Sequence, residues 1–397
     1  INMKMRLFEL QEYTGNICSY SQWTFDVVLV LYKYKRSIWR HIMTNEEIYA
    51  RYSISTIESY TSKELKKIRA LFLECGVAQN DDQLMLEHEH AVNIATYGTD
   101  FRAAVLACVN GNSESFGILE EWEYVRDYRY SVIFTTENFN SGLDAAAQFT
   151  SFERKCFPFY SGIESPVFWN YNENIAFLKF NRVFDAIAPN TDEEVQIRYP
   201  IIATFHKNAK LIEIRFDTLR TVFIEGPDDF YIELIASIQH FFNRELNCEL
   251  TPLDLDFLIT TGQSGYGGVR LVAQSMRMAN GTCAELDSGK NEQYLLPFVG
   301  ELSDFLVRFE DSFNRVPDLK HAFEDFIDEK NTMSYYPWIT LLWENGCKTK
   351  ASKVKFTFNY CQKGYCLMQH YFSSTLVGME RMNNVVGFID AVRRNTT

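Results

Sequence analysis

The chain is expected to fold as an α+β protein, and three features of the sequence point there. Runs of β-branched and aromatic residues alternate with segments whose apolar positions recur every three or four residues. At least two strand pairs are joined by short polar turns, which is the antiparallel arrangement. Each of those two hairpins is followed by a long amphipathic helix, so strands and helices do not interleave one by one as in a doubly wound parallel sheet.

Taken in order, the segment Thr24 to Trp39 reads as a strand, apolar in its first half and basic in its second. "TSKELKKIRALFLECG" then opens with Thr61 or Ser62 ahead of Glu64, the signature of a capping box. It carries Leu65, Ile68, Leu71 and Leu73 at helical spacing and stops at Gly76, so a helix is expected there. Helical spacing recurs at Asp100 to Val109 and Gly117 to Arg126, and a strand is expected at Tyr130 to Thr135. The polar, glycine-marked stretch Thr136 to Gln148 suggests a boundary. On that reading a mixed α/β N-terminal domain covers residues 1–140, and an α+β domain of hairpin and helix units covers residues 141–397.

In the second part, Tyr199 to Asp217 reads as a hairpin across Lys207-Asn208-Ala209-Lys210, followed by a helix from Asp228 to Glu245. "SKVKFTFNYCQKGYCLMQHYF" reads as a second hairpin across Lys363-Gly364. A closing helix from about Leu376 to Arg394 is expected to turn Met379, Met382, Val386 and Ile389 inward.

Composition restricts the function classes. The 397 residues are 46% hydrophobic and 23% charged, which suits a globular chain with a sizeable core. A net charge of -13 argues against coating nucleic acid or anionic membrane by bulk charge, and leaves only a local basic patch as a candidate. Nine scattered cysteines read as reduced thiols of a cytosolic protein, and no stretch is apolar enough for a membrane span or a signal peptide.

That local patch is "YKYKRSIWRH", the sole interleave of basic and aromatic residues evident along the linear sequence. Extended, it would place Tyr32 and Tyr34 on one face and Lys33 and Lys35 on the other, with Arg36, Trp39 and Arg40 following, so that rings stack on bases while cations meet phosphates. A strand end whose charges guard an edge is the plainer reading of the same residues.

An alternative site would use Glu213, Asp254 and Asp256. Glu213 and Arg215 occupy the polar side of the first hairpin, where an acid and a lysine two residues on would suit a metal-dependent nuclease. Arginine stays protonated, however, and cannot serve as the base, so a solvated ion pair is the simpler account. Asp254 and Asp256 of "LDLDF" would share one face of a strand and hold a divalent cation. "TTGQSGYGGVR" then offers Gly262, Gly265, Gly267 and Gly268 ahead of Arg270 as a phosphate loop, but it matches no standard nucleotide spacing.

Cys361 and Cys366 would face each other across a two-residue turn, as an oxidisable pair or half of a zinc site completed by Cys347 and His370. The sequence therefore favours a binding or regulatory protein without a cofactor, engaging nucleic acid or a protein partner and no membrane. A divalent-metal nuclease or nucleotide-using enzyme is the alternative. A bacterial source and a part in defence against phage or plasmids are conjecture, since no residue carries them.

Overall fold

The computed structural model describes residues 53–80, 90–154, 165–187, 194–219, 223–224, 226–278, 281, 283–287, 298–332, 334–343, 352–371 and 378–396. The chain divides into two compact units, Ile1–Arg51 and Tyr52–Thr397, and every described residue belongs to the second. The stretch from Tyr32 to His41, and the strand expected around it, lie outside the described residues.

The unit begins with helices. α1 (Ser62–Glu74) is capped as its sequence requires: the Thr61 side chain accepts from the Glu64 backbone N–H, and the Glu64 carboxylate accepts from the Thr61 N–H at 2.8 Å. Two short strands, β1 (Ala78–Gln79) and β2 (Val92–Asn93), pair in parallel. α2 (Phe101–Gly111) and α3 (Glu114–Val125) follow. Ile57, Leu65, Ile68, Phe72, Val105 and Trp122 form a helical core of their own.

The rest is built on one large sheet. β3 (Tyr130–Thr135) leads to α4 (Phe139–Ala146), then β4 (Val167–Trp169), β5 (Ile175–Ile187), β6 (Glu194–His206) and β7 (Leu211–Phe216). After α5 (Pro227–Leu246) come β8 (Thr251–Pro252), α6 (Phe257–Ser264), β9 (Val269–Met278) and β10 (Cys283–Asp287). Three helices, α7 (Phe298–Arg308), α8 (Glu310–Phe313) and α9 (Pro317–Thr332), precede β11 (Ser334–Trp343). β12 (Ser352–Thr357), β13 (Leu367–Tyr371) and α10 (Glu380–Thr396) complete the described chain.

The strands run β10-β9-β11-β12-β13-β3-β7-β6-β5-β4, every named pairing antiparallel, with β8 attached to β3. This is the α+β class that the hairpin pattern predicts. β3 lies between β13 and β7, so strands from both sides of residue 140 share one sheet, and the polar stretch at Thr136 to Gln148 contains α4.

Both faces of the β3–β7–β6–β5 half are covered, which is why its strands read as nearly continuous apolar runs. On one face Phe180, Phe205, Ile212, Ile214 and Phe216 pack against Leu234, Ile238, Phe241 and Phe242 of α5. On the other, α10 sends Val385, Val386 and Ile389 among Ile133, Leu211, Val354 and Met368, while α3 places Tyr124 against Phe177 and Ile202. Met382 of the closing helix and Met379 just ahead of it are buried as expected.

Candidate functional site

Glu213 and Arg215 do not form the solvated pair expected of a hairpin's polar side, because α10 covers that side: both residues are 0% exposed. Arg215 donates Nε and one terminal nitrogen to Oε2 of Glu213 at 2.8 and 2.6 Å, and also reaches Oδ1 of Asn383 on α10. His206 lies on the same carboxylate at 3.0 Å. Burial works against ionising Glu213, but Arg215 outweighs it and holds the carboxyl well below the usual range; burial likewise lowers His206.

Asp254 and Asp256 are exposed and are not on a strand. They sit in the turn that enters α6, where the Asp254 carboxylate accepts the Asp256 backbone N–H at 2.9 Å. Among the described residues no group of three histidine, cysteine or acidic side chains is placed to hold a metal ion, so Glu213, Asp254 and Asp256 are not gathered into one. Gly265, Gly267 and Gly268 form the link from α6 to β9. Their φ angles of 68, 66 and 75° are ones a side chain adopts with strain, so the glycines serve the turn. Gly262 is inside α6, and its missing side chain makes room for Leu341.

The second hairpin differs at its tip. β12 and β13 pair only as far as Thr357 and Leu367, and residues 358–366 form a loop with a 3₁₀ turn. Cys361 is exposed there and Cys366 is buried, each as a free thiol, instead of facing one another across a two-residue turn. His370 is committed to the Ser131 hydroxyl at 2.9 Å, and burial lowers its pKa to about 4.

Two assemblies of charge emerge only with the fold. The first joins the helical core to the sheet. α3 turns Ile118, Leu119 and Trp122 into the helical core and presents Glu120 and Glu123 to the strands. Lys179 of β5 bonds both carboxylates. Arg198 of β6 meets Glu120 at 2.6 Å and Glu123 at 2.6 and 2.8 Å. The Tyr60 hydroxyl donates to Glu123 at 3.0 Å. With side chains 0 to 8% exposed, the four charges form a closed set that neutralises itself, and its role is to dock α3 on the sheet.

The second assembly occupies the other half of the sheet. Register there puts Arg270, Leu342, Lys353 and Tyr371 in one row across β9, β11, β12 and β13. The next row holds Ala273, Thr340, Lys355 and Gln369, and the one beyond it Ser275, Trp338 and Thr357. Arg277 follows on β9, opposite Tyr335. These rows lie on the face opposite Val354, Phe356 and Met368.

Two aromatics on this face are already held by cations: the Lys355 ammonium stands 4.0 Å above the Trp338 ring, and the Arg129 guanidinium 4.5 Å above Tyr371. Partial burial lowers the pKa of Lys355. The face thus gathers Arg129, Arg270, Arg277, Lys353 and Lys355, against Glu285 and Asp287 on the edge strand β10, in a chain of net charge -13. Arg270, Lys353, Lys355, Trp338 and Tyr371 are half-buried, and Arg277 is exposed.

Sequence reasoning found Arg270 for a different reason and missed the rest. The alternation of Lys353 and Lys355 in "SKVKFTF" was the available signal, but the cations come from three separate segments that only strand pairing brings together. Comparisons with protein-family models, curated proteins and solved structures return no match.

Proposed function

We propose that the chain is a nucleic-acid-binding protein that takes single strands on the sheet face of β9, β11, β12 and β13. The observation that carries the reading is the positive, aromatic-bearing face itself: four cations of β9 and β12, with Arg129 beside them, accompany Trp338 of β11 and Tyr371 of β13 in an acidic chain. An antiparallel face that carries aromatic rings and flanking cations suits unpaired bases, whose π-faces accept any ring and whose phosphates follow the charges. Lys353 and Lys355 are about 7 Å apart along their strand, a separation that lets each take a different phosphate. A base stacking on Trp338 takes the ring face that Lys355 now occupies, and the displaced ammonium turns to the backbone.

Fluorescence anisotropy with labelled 12-nucleotide single strands of RNA and DNA tests this. The parent chain is expected to bind, and K353A/K355A to bind at least tenfold more weakly with its melting temperature nearly unchanged, since half-exposed lysines contribute little to folding. A parent that binds neither strand, or a double variant that binds as the parent does, removes the reading.

A further inference from the structure

Between β10 and β11 the chain makes an excursion through α7, α8 and α9, residues 298–332. Phe305, Phe309, Phe313 and Phe323 contact one another there, with Phe305 and Phe309 4.7 Å apart and Phe313 and Phe323 5.5 Å apart. Phe313 is buried, yet Phe305 and Phe309 remain 44% exposed, Val316 50% and Leu319 48%. A segment of this length cannot bury its own apolar surface completely. Clustered exposure of this kind is what an interaction surface leaves uncovered.

Charge decides what covers it. The excursion carries nine acidic residues against four basic ones. A second copy of the same face would bring the same negative excess, and nucleic acid or an anionic lipid surface would be repelled in the same way. We infer that α7–α9 form a docking surface for a protein segment that is both basic and apolar, such as an amphipathic helix with lysine or arginine beside its apolar stripe. The chain then has two surfaces of opposite sign: the sheet face for a strand of nucleic acid and the helical excursion for a protein.

The test uses the full chain and a synthetic 18-residue helical peptide of leucine and lysine, titrated by calorimetry. Saturable one-to-one binding is expected, at least tenfold weaker in V316D/L319D. Those two side chains are about half exposed, at 50% and 48%, so the substitutions should leave the melting temperature nearly in place. A leucine and glutamate peptide of the same pattern is expected not to bind, and a serine and lysine peptide to bind at least tenfold more weakly. Equal binding by V316D/L319D, equal binding of the serine and lysine peptide, or a dimer in sedimentation that V316D/L319D abolishes would each overturn the inference, the last by showing that a second copy covers the surface. The sheet-face variant K353A/K355A should bind the leucine and lysine peptide as the parent does, so this result stands or falls apart from the nucleic-acid reading.

Discussion

Replacing Glu123 by alanine is expected to cost about 3 to 5 kcal/mol of unfolding free energy in urea denaturation, because it leaves Lys179 and Arg198 buried with half their compensation gone. The carboxylate accepts from Arg198, Lys179 and Tyr60 together, so no rotation of one partner restores the set. The same group sets an acid limit. Burial alone would raise the pKa of Glu123, but Arg198 and then Lys179 outweigh it and hold the folded-state value at about 2, against 4.5 for a free glutamate. A folded value below the unfolded one means that the stabilisation is complete above pH 4.5 and is lost as the pH falls toward 2. The parent should therefore lose more stability across this window than E123A does, since Glu213 titrates on acidification in both. A loss under about 1 kcal/mol on substitution, or identical acid profiles, would show that α3 is held on the sheet by its apolar contacts alone.

Much of the fold was legible because it depends on local chemistry. The capping box at Thr61 and Glu64, the turn at Lys207 to Lys210 and the apolar stripe of α10 are each encoded within twenty consecutive residues, and each forms where the residues place it. The differences arise where a helix covers a strand or where a turn departs from the simplest geometry. Glu213 and Arg215 look solvent-facing by alternation, and they would be if α10 did not pack on that side. "LDLDF" alternates like a strand, yet Asp254 accepts the Asp256 amide and turns the chain into α6. The tip of the last hairpin was misjudged because Asn359, Cys361 and Gln362 adopt φ of 42, 47 and 61°, so a wider loop replaces the tight turn at Lys363-Gly364.

The candidate site was hidden for a related reason. Arg129, Arg270, Arg277, Lys353 and Lys355 span more than two hundred residues of sequence. Each by itself is an ordinary strand-end charge, and only the order β9-β11-β12-β13 makes them neighbours.

The quadruple variant R270A/R277A/K353A/K355A should show the largest functional effect. Each phosphate contact to a single strand releases about 0.7 of a counterion, so removing four contacts should reduce the slope of log K against log salt by about 3. Affinity at low salt should fall by several orders of magnitude, while binding in 0.5 M salt, where these contacts contribute least, should differ far less. W338A should behave in the opposite manner, losing about 1 to 3 kcal/mol of binding at every salt concentration with the slope preserved, because stacking releases no counterions. Binding lost equally at all salt concentrations in the quadruple variant would mean that the substitutions had damaged the sheet and not an electrostatic surface, and melting curves of the variant would show it.

Ultraviolet crosslinking of a bound single-stranded RNA, followed by peptide mass spectrometry, locates the strand. Adducts are expected on Trp338 and Tyr371, in peptides of β11 and β13, and should disappear in K353A/K355A. Adducts confined to Tyr32, Tyr34 and Trp39, with none on the sheet face, would contradict this location and return the nucleic-acid site to the basic stretch near the beginning of the chain.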